Sequence, residues 1–434
     1  MSTLILNATV LGLGMHPGAW RLGTRSGAAN LTPTFYREIA QAAEAGHLHA
    51  LFLADTLAAG EEAYQRPSLG AMDPATVLAS LASVTSRLGL VGTASTTFNS
   101  PFNLARRFMT LDHLSSGRAG WNMVTTFVPQ VAANFGAASL PPGEARYQRA
   151  EEFVQVVKAL WRSWQPGAIV DDKANGIYAD IHRIQPISHQ GEHFSVEGPL
   201  TLPPSPQQQP VLFQAGASGP GRTLAARHAE VVFTAQNTLS EARDFYSDLK
   251  SRAAAVGRSL KVLPGLMPII GGTEAEALAR KAELDRLAGD SELRKLALRV
   301  GIDVAELDPD RPLPVEKILA NADFRGSEGF RQAAIALTRA ENLTVRELLW
   351  RNGGGHLQVV GTAEQVADLI ESWHRQQAAD GFNLMIDALP DGLHRFVESV
   401  VPLLQRRGLF QRDYRGHTLR ENLGLEGNHD PLSA

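Results

Sequence analysis

Cysteine is absent from the 434 residues, which excludes disulfides, thiolate metal sites and a cysteine nucleophile, and is compatible with a reducing cytoplasm. No run approaches the roughly 20 consecutive apolar residues of a bilayer span. The opening MSTLILNATVLGLGMHPGAW also lacks the basic flank of a signal peptide, so a cytoplasmic location is expected. Neither sign of charge dominates. The net charge is −4 and no dense Lys/Arg block occurs, so nothing favours nucleic acid or an anionic membrane. The 13 histidines supply no convincing metal set. His189 and His193 are four apart, but Gly191 between them and the strand-like HFSV that follows argue against a shared helical face. No GxSxG elbow or spaced carboxylate pair suggests hydrolysis.

What is present is an ordinary globular composition, 44% hydrophobic and 20% charged, long enough for a large core and read as one domain over residues 1–434. The stretch 88–126 organises the reading: an apolar strand, a helix with Gly117 as its stop, and a second strand. Two consecutive strands joined by a helix imply a parallel pair. Thr93, Ser95, Thr96 and Thr97 gather where the first ends, and Asn122, Thr125 and Thr126 where the second does. Ligands of parallel α/β folds bind at those carboxyl ends. Eight such strands are expected, at 4–12, 50–54, 88–93, 119–124, 210–214, 230–235, 262–268 and 382–386. Helices fall between them, several opened by cap-and-proline pairs such as Thr32-Pro33 and Asp73-Pro74. Eight units close a (β/α)8 TIM barrel with insertions at the carboxyl-terminal face. The competing doubly wound sheet would put its phosphate-binding turn after the first strand.

Three segments interrupt the alternation. Residues 165–208 read as an excursion over one end of the fold. Residues 290–357, with the loop NGGGH at 352–356, read as a lid insertion, and the tail 408–434 as a polar segment on the outside or on a neighbouring subunit. The fifth strand runs into AGASGPGR, a glycine-rich turn into a helix whose amides around Ser218 and Gly219 suit an anion. Asp55 closes the second strand, either as a partner for a helix terminus or as a site residue. The residues alone therefore imply a barrel enzyme holding a phosphate-bearing ligand.

Several stretches resemble the bacterial luciferase-like flavin-dependent monooxygenases, within them the subgroup of nitrilotriacetate monooxygenase component A and dibenzothiophene-sulfone monooxygenase. They are HPGAWR (16–21), ALFLADT (50–56), the whole of 87–126, RYQRAEEFVQVVKALW (146–161), HQGEHFSVEGPL (189–200), PVLFQAGASGPGR (210–222) and VVGTAEQVADLI near the end. The resemblance implies an FMNH2-dependent oxygenase component. A separate NAD(P)H:FMN oxidoreductase would supply its reduced FMN, and O2 would react through a flavin C4a-hydroperoxide to oxygenate a small organic substrate. It puts Asp55, Thr93, Ala94, Ser95 and Asn122 around the flavin ring. Arg146 and Tyr147 fall toward the ribityl and phosphate, and Ala217, Ser218 and Gly219 on the phosphate. His16 falls at a catalytic position and Trp20 on the substrate side; His356 is a second, weaker candidate there. Homodimers or homotetramers are implied, and no metal. Many relatives carry a histidine four residues before the tyrosine, where this chain has Gly143. A deazaflavin-dependent reductase on the same barrel and a non-catalytic flavin-binding protein are the alternatives.

Overall fold

A computed structural model describes residues 3–59, 67, 72–324, 326–353 and 355–425. Nine strands carry the architecture: β1 (Ile5–Val10), β2 (Ala50–Leu53), β3 (Gly89–Ser95), β4 (Ala119–Val124), β5 (Val211–Ala215), β6 (Val231–Thr234), β7 (Lys261–Ile270), β8 (His356–Gly361) and β9 (Gly381–Met385). The first seven and β9 are all parallel and close on themselves, with β9 paired to both β7 and β1. The eight expected strands are thus the eight barrel strands. A TIM barrel is the result, because each strand is an apolar run and each return is an amphipathic helix that cannot bury its stripe except against the ring.

Alternation along the strands sets the two layers. Leu6, Ala8, Leu51, Leu90 and Leu384 join the main cluster under the helices, while Ile5, Ala50, Phe52, Val91, Phe213 and Leu263 form a second cluster inside the ring. Thr32 and Asp73 cap the helices Pro33–Ala45 and Pro74–Ala82 through the amides of Phe35 and Thr76. Gly46 ends the first of these, but the left-handed residue there is His47, with φ 56°. Glycine is required at 46 for a different reason: a Cβ there would lie 2.6 Å from a Val397 methyl.

Two expectations change. Residues 356–361, expected to begin as loop, form β8, which pairs in parallel with the upper half of β7 from Leu266↔Leu357 to Ile270↔Gly361. The tail does not lie on the outside. Leu419, Leu423 and Leu425 are buried in the inner cluster and stop the amino-terminal mouth of the ring; residues 426–434 lie outside the described residues. The 290–357 insertion is a helical module with its own core, in which Leu296, Val300, Ile318, Ile335 and Leu348 cluster. Gly354 of its NGGGH loop also lies outside the described residues. The 165–208 excursion contains two short antiparallel hairpins. No helix among the described residues is long and apolar enough to cross a membrane.

Candidate active site

The carboxyl ends of β2 to β6 surround a cleft of about 420 Å³ roofed by Ser327, Gly329 and Phe330 of the helical module. Asp55, Thr93, Ser95, Asn122, Ala217 and His356 all line it. Barrel closure brings them together: Thr93 and Ser95 end β3, Asn122 lies near the end of β4, Asp55 and Ala217 belong to the segments that follow β2 and β5, and His356 opens β8.

The wall from β3 and β4 is a hydroxyl and amide lattice. Asn122 Nδ2 donates to Thr93 Oγ1 at 2.9 Å, and its buried Oδ1 has no partner among the described residues. Ser95 Oγ lies 2.7 Å from Thr126 Oγ1 and accepts from the Thr97 amide. The buried Trp121 indole donates to the Ala94 carbonyl at 3.1 Å, which fixes the strand end from behind. Ala94 itself lines a smaller hollow of about 190 Å³ that shares Asp55 and Thr93 with the cleft.

Burial, with the negative charge of Asp73 beside it, pushes the Asp55 carboxyl up to about 6. A raised folded-state value means that the stability contributed is complete below the unfolded value, near 3.8, and is lost as pH rises through about 6. Asp55→Asn should remove that loss. Its urea midpoint is expected to exceed that of the parent protein above pH 6 and to match it in acid. A variant that is less stable at both ends of that window would show that the carboxylate is paired rather than strained.

At the far side of the cleft Ser218 caps the helix Gly219–His228. Its Oγ accepts from the Gly221 amide and donates to the Tyr147 phenol, each at 3.2 Å. A Cβ at Gly219 would meet nothing within 4 Å, so this helix end is open. Arg146, in the first turn of the helix Gly143–Trp161, donates through Nη1 to the Pro141 carbonyl at 2.9 Å, and its buried Nε has no partner among the described residues. The nearest atom to a Cβ at Gly143 would be Arg146 Nη2, 3.7 Å away. The position where relatives carry histidine is therefore space beside this guanidinium.

His16 and Trp20 are not among the residues lining the cleft. His16 Nδ1 accepts from the Gly18 amide at 3.2 Å and Nε2 faces Asp285 at 3.1 Å; Trp20 covers Gly27. His356, by contrast, lies nearly parallel to Phe233, with centroids 5.2 Å apart, and meets the edge of Phe330. Burial, with Arg299 nearby, pushes its imidazole down to about 3, so the ring is neutral in ordinary buffers. Sequence reasoning missed Phe233, Phe330 and the pairing of Thr126 with Ser95. Phe233 could have been found from the alternation of β6; Phe330 comes from the insertion and leaves no local trace.

The donor set fits a flavin mononucleotide. Ala215, Gly216 and Phe233 give an apolar wall for a planar ring, Asn122 Oδ1 awaits a donor such as a ring N–H, and the open helix end with Ser218 and Tyr147 suits a phosphate. Among the described residues no group of three His, Cys, Asp or Glu could hold a metal.

Comparison with known proteins agrees. Residues 17–380 match the family model of luciferase-like monooxygenases. The chain is 45% identical to nitrilotriacetate monooxygenase component A of Aminobacter aminovorans over 95% of this chain and 94% of that protein. It is 43% identical to N-acetyl-S-(2-succino)cysteine monooxygenase of Bacillus subtilis (strain 168), over 97% and 96%. Among solved structures, riboflavin lyase with modified FMN and riboflavin superposes with a TM-score of 0.85 at 31% identity, covering 98% of this chain and 96% of that one. With the family model matching most of its length and two relatives above 40% identity end to end, the chain belongs to the luciferase-like monooxygenase family and is a flavin-dependent monooxygenase.

Proposed function

We propose that the chain is the oxygenase component of a two-component system. It takes FMNH2 from a separate NAD(P)H:FMN oxidoreductase in the cytoplasm and, as a homodimer or homotetramer, transfers one atom of O2 to a small organic substrate. The convergence of Asp55, Thr93, Ser95, Asn122 and Ala217 on one cleft beside the Ser218 cap carries this reading. Support comes also from a relative that is itself named a component and from a similar barrel determined with modified FMN.

When bound, reduced FMN supplies the electrons that activate O2. The chain's residues supply the rest. Thr93, Ala94 and Ser95 form the shelf for the ring, held from behind by Trp121. Asn122 Oδ1 accepts from the ring's polar edge, and Asp55 stands beside the ring. Tyr147, Ser218 and Gly219 hold the phosphate, and Arg146 neutralises it from the flank. Phe330 and Ser327 cover the cleft and exclude water, which protects reactive chemistry from side reactions. His16 holds the loop that follows β1 against the helix Glu274–Ala288, through Asp285 and its partner Lys281. Trp20 faces the substrate approach.

The test is reduced-FMN affinity under anaerobic conditions. Asp55→Ala and Ser218→Ala should each weaken it roughly tenfold, the loss of about one charge-assisted contact. Unchanged affinity in both would show that the cofactor sits elsewhere.

A further inference from the structure

Three buried polar atoms without partners among the described residues stand at or beside neighbouring interior positions of β1, β9 and β7. Asn7 on β1 and Asn383 on β9 are register partners, each 0% exposed, and Asn7 Nδ2 donates to Asn383 Oδ1 at 2.9 Å. That bond leaves Asn7 Oδ1 and Asn383 Nδ2 without partners among the described residues. Asn383 is also in register with Gly265 of β7, so the Gly265 interior position lies one strand spacing, about 4.8 Å, from that of Asn383. The space above Gly265 is filled by His356: a Cβ there would lie 2.3 Å from Nδ1. Nδ1 is buried and is the third partnerless atom.

The row therefore reads donor (Asn383 Nδ2), acceptor (Asn7 Oδ1) and imidazole nitrogen, and direct bonds do not join them. Buried waters typically make about three hydrogen bonds to such groups. We propose that one buried water joins this row and sets His356 in the Nε2–H tautomer, so that the ring presents a fixed N–H donor to the cleft. One arrangement gives both protons of the water an acceptor; the reverse, in which a ring Nδ1–H donates to the water, would strand one of those protons in a dry site. The water accepts from Asn383 Nδ2–H and gives its two protons to Asn7 Oδ1 and His356 Nδ1, which leaves the ring's proton on Nε2. That nitrogen has no partner among the described residues, and the ring lines the cleft. Stacking on Phe233 holds the ring plane, while burial and the Arg299 charge keep the ring neutral. His356 is then a neutral hydrogen-bond donor to an oxygen or nitrogen acceptor of the bound flavin or of the substrate being oxygenated, and Asn7 and Asn383 are positioning residues. The donor role rests on the proposed reading of the cleft; the tautomer does not.

The tautomer is read directly by long-range proton–nitrogen correlation spectra of the full chain labelled with ¹⁵N-histidine, without flavin, with the His356 signals identified by their loss in His356→Phe. The parent protein should show a bare Nδ1 and a protonated Nε2. Asn383→Asp keeps the shape but replaces the donor by an acceptor. The water must then donate to both carboxamide-row oxygens and accept from the ring, so the pattern should invert to Nδ1–H. Asn7→Asp should invert it as well, because Asn383 would turn its amide to donate to the new carboxylate; this second variant serves if the first does not fold. A parent ring protonated at Nδ1 or averaging between tautomers, or a folded variant that keeps Nε2–H, overturns the inference. Failure to bind FMN would overturn the proposed function and leave these spectra unchanged.

Discussion

Replacing Arg118 by alanine is expected to destabilise the fold by about 3–5 kcal/mol, the range for leaving a buried polar network without its charged centre. Arg118 is 3% exposed, and its guanidinium serves backbone oxygens rather than a carboxylate. Nε donates to the Ser115 carbonyl at 2.7 Å. Nη1 donates to Thr85 Oγ1 and the Leu88 carbonyl at 2.8 and 2.7 Å, and Nη2 to the Ala82 and Thr85 carbonyls at 3.1 and 2.9 Å. These are the orphan carbonyls that end the helix Pro74–Ala82 and the turns leading into β3 and β4. One side chain thus closes two helix–strand connections at the amino-terminal end of the barrel. Alanine would leave four carbonyls and a hydroxyl in a dry site. Lysine should recover only part of the loss, since a single ammonium cannot span the fork. Urea unfolding measures this as a fall in midpoint at constant slope; a change under about 1 kcal/mol would mean that water replaces the guanidinium. Cofactor affinity of the folded variant should not change, because the cleft is at the opposite end.

The second large effect separates stability from binding. Gly219→Asp places a carboxylate in the first turn of the helix Gly219–His228, where a Cβ meets nothing within 4 Å. Negative charge at a helix amino terminus typically adds about 0.3–1 kcal/mol, so the variant should be at least as stable as the parent. For FMN the same charge is repulsive. Two unit charges about 5 Å apart at an effective dielectric near 20 repel by about 3 kcal/mol, so affinity for reduced FMN should fall at least about 100-fold. Reduced riboflavin, which lacks the phosphate, should bind parent and variant alike. Equal losses for both flavins would place the phosphate away from this helix.

Much of this was legible in the chain because the barrel repeats one local rule. Each strand is a short apolar run, and several returning helices open on a threonine or aspartate cap that the structure confirms through backbone amides. Parallel closure then forces strand-end residues as distant in sequence as Asp55 and Ala217 into one cleft. The misses share a different cause. HLQVVG follows a glycine-rich loop, and its parallel pairing is with the upper half of a strand 91 positions earlier, from Leu266↔Leu357 onward, which no local pattern marks. Leu419, Leu423 and Leu425 are isolated apolar residues in a polar tail, and only the open mouth of the ring explains their burial. The family resemblance puts His16 on the substrate side, and what holds its ring could not be read from the chain. Its hydrogen-bond partner, Asp285, is 269 residues away and invisible to any motif.

On the proposed reading, this cleft holds a reduced flavin by both its ring and its phosphate. Anaerobic titration of the full chain with FMNH2 and with reduced riboflavin tests it most directly. One FMNH2 should saturate each chain, with riboflavin bound more weakly in the parent and the difference abolished by Gly219→Asp. Binding of neither flavin, or equal binding of both by the parent protein, would contradict it.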